Sequence, residues 1–214
     1  MAAVKRRRYE MANRARQAAQ TRRGIVDAAA RLFLRHGYAA TSINAIAAEA
    51  GVAVQTVYAS MRTKRDILET VIQLTVRGEE DEVSLPESAR WREMELEADP
   101  RQKLAKFVRL HREICEREAG LFVVLEMAAA VDAEIEPLLR DKERFRYEDQ
   151  RRVARSLGRQ GELRAGVSIR NAADIIWALA SERVYLALVQ ERGWSVKQYE
   201  AWLTDQLVGG LLPD

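Results

Sequence analysis

The chain has 214 residues, 48% hydrophobic and 31% charged, long enough to bury a substantial core in one large or two small domains. Only 4 prolines, against abundant Ala, Leu, Arg and Glu, point to an all-α protein, and no apolar run reaches the roughly 18–20 residues of a membrane span. The basic N-terminus lacks the apolar stretch of a secretory signal, and a single cysteine, Cys115, excludes an internal disulfide and suits a reducing cytoplasm.

The net charge of +3 conceals an asymmetry, because residues 1–77 hold 14 Lys or Arg against 5 Asp or Glu. A basic front and an acidic remainder suit a polyanion-binding module joined to a body that avoids DNA. Residues 1–20 carry Lys5, Arg6, Arg7, Arg8, Arg14 and Arg16 without apolar periodicity. They read either as a disordered solubilising tail or as an arm that follows phosphates or enters the minor groove. From about Thr21 to His36, Ile25, Ala28, Ala29, Leu32 and Phe33 fall at helical spacing, and Gly37 ends that helix.

Next comes the run from Tyr38 to Lys64. Ile43, Ile46, Ala47 and Ala50 form one stripe, with Thr41 and Ser42 before it as candidate caps. Gly51 stops this helix, and a second begins near Ala53, turning Val52, Val57 and Met61 inward and Gln55, Thr56, Tyr58 and Ser60 outward. Two short helices joined by a tight glycine turn predict a helix-turn-helix, whose second helix enters the DNA major groove. Gln55 is the best base reader, as its amide pairs bidentately with adenine; Val54 suits a thymine methyl, and Thr56 a base or a phosphate.

The residues Gly37-Tyr38, Thr41-Ser42, Ile46-Ala47, Ala50-Gly51-Val52, Thr56-Val57-Tyr58 and Thr63-Lys64 resemble the tetracycline-repressor (TetR) family of bacterial regulators over roughly residues 20 to 70. Ala53, Ser60 and Met61 depart from the usual serine cap, aromatic or histidine, and phenylalanine. The resemblance implies phosphate contacts from Ser42, Tyr58 and Lys64, which fix register rather than sequence. It also implies a homodimer on double-stranded operator DNA, and a body that holds a small-molecule effector whose binding releases the DNA.

Thr63 and Asp66 predict a capping box for a helix running to about Val76, which joins the DNA-binding unit (21–77) to the body (78–214). Residues 78–99 hold 9 acids against 2 arginines and read as an exposed acidic connection that Trp91 pins down. Asp99-Pro100 opens a helix to about residue 118, Gly120 interrupts, and Leu121 to Val131 forms a second, short apolar helix. Pro137 opens a long helix ending near Gly158–Gly161, and Ser168 starts another that reaches Glu191, almost encircled by apolar residues. Ser195 and Gln198 cap the last helix. The final two helices resemble the family's C-terminal dimer bundle, which would place Ile176, Trp177, Tyr199, Trp202, Leu203 and Leu207 at the interface; an internal core is the alternative.

For a ligand cavity the candidates are Phe107, His111, Cys115, Phe122, Leu125, Met127, Trp177 and Tyr185. Nothing calls for a cofactor or metal: His36 and His111 are the only histidines, and no Walker, Rossmann or zinc spacing occurs. Glu113 and Glu116 share a helix face but read as solvated. The expectation is a transcriptional regulator, not an enzyme. Its rivals are a constitutive dimeric DNA-binding protein without ligand and a helical enzyme.

Overall fold

The computed structural model describes residues 2–77, 85–159 and 162–213. Helix α1 spans Ala2–Ala40, α2 Ile43–Glu49, α3 Val54–Ser60 and α4 Lys64–Arg77. A 3-10 turn at Leu85–Glu87 leads to α5 (Ala89–Glu95), α6 (Pro100–Val131) and α7 (Glu136–Arg159). Helix α8 (Ile169–Leu179), the short α9 (Glu182–Tyr185) with a wide turn over Leu186–Glu191, and α10 (Val196–Leu211) complete the chain. Among the described residues there is no strand, and no helix is long and apolar enough to cross a membrane.

Three helix boundaries differ from expectation. Helix α1 starts at Ala2 rather than Thr21, because the Ala- and Arg-rich run up to Arg23 contains neither Gly nor Pro. The backbone of the basic arm is therefore helical, while the side chains of Arg6, Arg7 and Arg8 lie outside the described residues. Gly37, at φ 77° and ψ 169°, kinks this helix before a last turn closed by the Thr41 hydroxyl on Gly37 O at 2.8 Å.

Gly120 does not interrupt α6, which runs as one helix of 32 residues. A Cβ at Gly120 would lie 2.8 Å from Leu34 Cδ2, so this glycine marks where α1 crosses α6 rather than where α6 ends. The expected helix from Ser168 to Glu191 breaks at Ala180, whose ψ of 70° leaves the helical range, and Ser181 caps a new start by accepting from Val184 N. The carbonyls exposed by the break are used: Arg146 Nη1 donates to Trp177 O and Ala180 O at 3.0 and 2.9 Å, and Gln150 Nε2 to Ala180 O at 3.0 Å.

Two apolar cores result. One joins α1–α4 through Phe33, Ile46, Val57, Ile67 and Leu68. It takes in Leu121, Val124, Leu125 and Ala128 from the C-terminal half of α6. The other gathers Trp91, Leu104, Phe107, Cys115, Val153, Ile176, Tyr199, Leu203 and Leu207 in the body. Helix α6 belongs to both. Its residue Arg117 donates to Thr75 O and Val76 O at 3.1 and 3.2 Å, satisfying carbonyls in the last turn of α4.

Candidate nucleic-acid interface and interior cavity

The helix-turn-helix is assembled from local signals. Ser42 Oγ accepts from Ala45 N at 3.1 Å and caps α2. Gly51, at φ 67°, makes the turn, and Val52 N closes it on Ala47 O at 3.0 Å. Ala53 stands at the cap of α3 with no side-chain bond, so this helix starts without the support a serine would give. Thr63 and Asp66 form a reciprocal box on α4, with Thr63 N donating to Asp66 Oδ2 and Asp66 N to Thr63 Oγ1 at 3.1 and 3.0 Å. Arg31 ties α1 to α2 through Glu49 at 3.0 Å.

Val57 and Ile46 are fully buried, so α3 is seated by one face on the core. Its other face presents Gln55 and Tyr58 to solvent, with Val54 and Thr56 half-buried beside them. Ser42 is exposed at the start of α2. Lys64 occupies a different position from the one expected of a phosphate contact. Its Nζ donates to Tyr38 O and Thr41 O at 2.9 and 3.0 Å and sits 4.2 Å over the Tyr38 ring, so the ammonium caps carbonyls after the Gly37 kink.

A cleft of about 540 Å³, open to solvent beside Phe145, lies between α4, the 3-10 turn, α5, α6 and α7, with Glu182 among its lining residues. That volume lies within the roughly 300–1,000 Å³ of small-molecule sites. Ile72, Val76, Leu85, Trp91, Phe107, Leu110, Ile114, Leu138 and Phe145 supply apolar surface. Charge is dense as well, with Glu69, Glu118, Asp141, Glu148, Asp149 and Glu182 against Arg65, Lys142, Arg146 and Arg152.

At the core of the wall, Lys142 Nζ bridges Glu118 Oε1 at 3.1 Å and Glu182 Oε1 at 2.5 Å, and Arg146 Nε lies 3.6 Å from Glu182 Oε2. Burial pushes the Glu118 carboxyl up to about 8, with Lys142 opposing and Glu182 assisting. Burial acts on Glu182 too, but Lys142 and Arg146 outweigh it and hold that carboxyl well below the usual range. The two acids thus share one charge. Burial also lowers His111 to about 4, leaving a neutral ring that meets Tyr199 Oη at 3.2 Å through Nε2.

Of the expected cavity residues, Phe107 and His111 line it. Cys115 is buried behind His111, with Sγ 3.4 Å from Nε2, and burial raises its thiol well above the ordinary value, which disfavours the thiolate an oxidant sensor needs. Phe122 packs beneath Lys142, Tyr185 edges onto Tyr199 with ring centroids 5.1 Å apart, and Leu125 belongs to the other core. Met127 is 68% exposed and Trp177 is 37% exposed, the latter under the Arg146 guanidinium. Helix periodicity finds a buried stripe without telling which part of it faces a void.

The wall residues absent from that set carry a signal of their own. Glu118 falls on the stripe His111, Cys115, Phe122, where a carboxylate is out of place, and Glu182 is the sole acid between Asp174 and Glu191. Beyond Ser88 the acidic segment is largely exposed, as expected, but it is helical and is pinned by two side chains. Trp91 and Met94 are each 1% exposed, and Trp91 lines the cavity from α5, while residues 78–84 lie outside the described residues.

The expected dimer residues divide similarly. Ile176, Tyr199, Leu203 and Leu207 are fully buried within this chain and have no surface to offer a second copy. The stripe on α10 faces the chain's own core because the break at Ala180 turns α9 and α10 over α6. Trp177 remains 37% exposed, and Trp202 is half-buried with Trp194 edge-on at 5.9 Å.

Residues 25–71 match the family model of the bacterial regulatory proteins of the tetR family. A comparison with curated proteins finds no match. Among solved structures, a transcriptional regulator from Saccharomonospora viridis in complex with choline is 24% identical, with a TM-score of 0.69 over 92% of this chain and 100% of that one. FadR from Bacillus subtilis in complex with stearoyl-CoA is 20% identical, with a TM-score of 0.70 over 87% and 97%. SmeT from Stenotrophomonas maltophilia in complex with triclosan is 21% identical, with a TM-score of 0.71 over 91% and 93%. Residues 25–71 therefore match the tetR family of bacterial regulatory proteins, and the chain as a whole shares the all-helical fold of these solved structures.

Proposed function

We propose that this protein is a homodimeric transcriptional repressor that binds a palindromic operator and releases it when a small effector enters the body cavity. The observation that carries the reading is α3, anchored by the buried Val57 and presenting Gln55 and Tyr58 outward from a strongly basic segment. A helix held in this way enters the major groove, and Gln55 reads adenine while Val54 and Thr56 contact neighbouring edges. Ser42 and Tyr58 take phosphates, and Arg6, Arg7 and Arg8 extend the contact along the backbone.

The dimer in this reading uses the outward faces of α8 and α10. Ile169 and Trp177 are each 37% exposed there, and Trp202 and Val208 are half-buried. Two copies would set their α3 helices at one helical turn of DNA or a multiple of it, about 34–36 Å. The cavity favours an effector over the constitutive alternative, since a body that served only to dimerise would have no use for a void of about 540 Å³. That three proteins of the same architecture hold choline, stearoyl-CoA and triclosan supports an effector without naming it.

The test is selection of duplexes from a random pool, followed by anisotropy titrations of the winner and of a scrambled duplex at several salt concentrations. A palindromic winner bound by a dimer is expected, and removal of residues 1–10 should flatten the salt slope by about 0.9 for each phosphate that the arm no longer neutralises. Equal affinity for winner and scramble would overturn the reading.

A further inference from the structure

The effector reading leaves the chemistry of the occupant open, and the pairing of charges along the cleft narrows it. The ionic groups of the inner lining answer one another. Lys142 Nζ lies between Glu118 Oε1 and Glu182 Oε1, at 3.1 and 2.5 Å. Arg146 reaches Glu143 Oε2 at 2.8 Å and Glu182 Oε2 at 3.6 Å. With Glu118 holding the proton that bonds it to Glu182, Lys142 and Arg146 face the charges of Glu182 and Glu143, and the set is neutral.

The remaining charges stand at the rim. Asp141 and Glu148 are exposed and share Arg144, at 2.9 and 3.5 Å, and the exposed Arg152 acts on Asp149. Arg65 and Glu69 are half-buried one turn apart on α4. Between rim and inner set the surface is apolar, supplied by Ile72, Trp91, Phe107, Leu110, Ile114 and Leu138.

Resting on the effector reading, we infer that the cleft takes an uncharged organic molecule, its apolar body against Phe107, Leu110 and Ile114, with a hydroxyl or similar neutral polar group. A carboxylate or phosphate would meet Glu182 and Glu143, and an ammonium would meet Lys142 and Arg146, in a set that has no counter-ion to spare. Either ion would give up its hydration without a partner to replace it, a cost a neutral molecule does not incur. The polar atoms left over are neutral as well. Trp91 Nε1 has no hydrogen-bond partner on a residue 1% exposed. Gln150, 3% exposed, gives Nε2 to Ala180 O at 3.0 Å and leaves Oε1 unpartnered. One is a donor and the other an acceptor, and a hydroxyl can serve either. A buried group left unbonded keeps its desolvation cost, so a ligand that bonds it gains affinity.

The experiment titrates the full chain by calorimetry at pH 7 with 4-phenylbutanol, 4-phenylbutylamine and 4-phenylbutyrate, which share one apolar body and differ in charge. The alcohol is expected to bind at least about tenfold more tightly than either ion, a ratio equal to about 1.4 kcal/mol. Trp91→Phe keeps an aromatic wall, removes the N–H and should weaken the alcohol several-fold. Leu110→Trp or, from α4, Ile72→Trp should fill the cleft and abolish binding in whichever chain keeps the parent's circular dichroism. The series on the parent chain needs no variant, so misfolding would not shelter the idea. Equal or tighter binding of either ion, no binding of any probe at millimolar concentration, or full affinity in a filled cleft would each overturn it. An alcohol that binds without freeing operator DNA leaves this inference standing and removes the effector reading. Release of DNA by the amine or the acid alone does the reverse.

Discussion

Among the described residues from Ala2 to Arg77, Thr41 is the one buried polar side chain, and its hydroxyl is satisfied by Gly37 O. The body buries Ser88, Lys103, His111, Glu118, Gln150, Ser181 and Glu182. An apolar core costs little to desolvate and is held by packing alone, which suits a unit whose task is to hold one helix face still. A core with buried charge is held by partners that can be exchanged, and some of its buried side-chain atoms lack one, among them Trp91 Nε1, Arg146 Nε and Gln150 Oε1. The difference separates a region built to present a surface from one built to respond.

The comparison can be broken at its strongest points first. Phe33→Ala empties the centre of the α1–α4 core and should cost about 3–5 kcal/mol in urea denaturation, with loss of DNA binding. Glu182→Ala leaves Lys142 and Arg146 short of a buried partner and should cost about 3–5 kcal/mol by the same measurement. Replacing Lys142 and Glu182 together by Met and Leu should come out near neutral or better, because an apolar pair avoids the desolvation of both ions. If the double variant were as unstable as the single one, the buried charges would be there for stability, and the contrast between the two regions would fail.

A smaller effect sharpens the surface half of the comparison. Gln55→Ala should keep the fold, since its side chain is exposed, but lose about 1–3 kcal/mol of discrimination between the selected duplex and a scrambled one. Tyr58→Phe should weaken both duplexes alike. Ala53→Ser supplies the missing cap of α3 and should raise stability by about 1 kcal/mol in the same denaturation assay.

The last effect is a pH slope. The Glu118 carboxyl is raised in the folded chain from its ordinary 4.5 to about 8. The stability tied to its proton is therefore full below pH 4.5 and drains away as pH rises through 8. Melting temperature should decline gently from pH 6 to 9, and Glu118→Gln should flatten that decline. A parent chain that melts higher at pH 9 than at pH 6 would mean that Glu118 is ionised throughout.

Much of the fold was legible because local signals dominate it. Ser42, Gly51, the Thr63–Asp66 box, Asp99-Pro100 and Ser195 all act within a few residues of themselves, and each sits at the helix end it marks. What escaped the sequence depends on partners distant in the chain. Gly120 looks like a stop until Leu34 is seen against it. The break at Ala180 needs Arg146 and Gln150 to take its carbonyls. Tyr199, Leu203 and Leu207 make a clean stripe, but a stripe does not say whether it meets its own chain or a second one. Among the candidate site residues, those on α3 were fixed by the same local signals, whereas the cavity wall depends on how α4, α5, α6 and α7 are set against one another.

The uninterrupted α6 also has a mechanical meaning. At 1.5 Å per residue its 32 residues make a rod about 48 Å long, gripped at one end by the body core and at the other by the core of the DNA-binding unit. A rod transmits angle. If an occupant of the cavity tilted it by about 5° around its middle, the far end would travel about 2 Å. Arg117, on the same rod, would carry the end of α4 with it. A hinge at Gly120 would have absorbed that motion locally. With α1 lying across it there instead, a displacement felt at Phe107 arrives undiminished at Ala128, and in a two-fold pair it would change the separation of the two reading helices by as much as double.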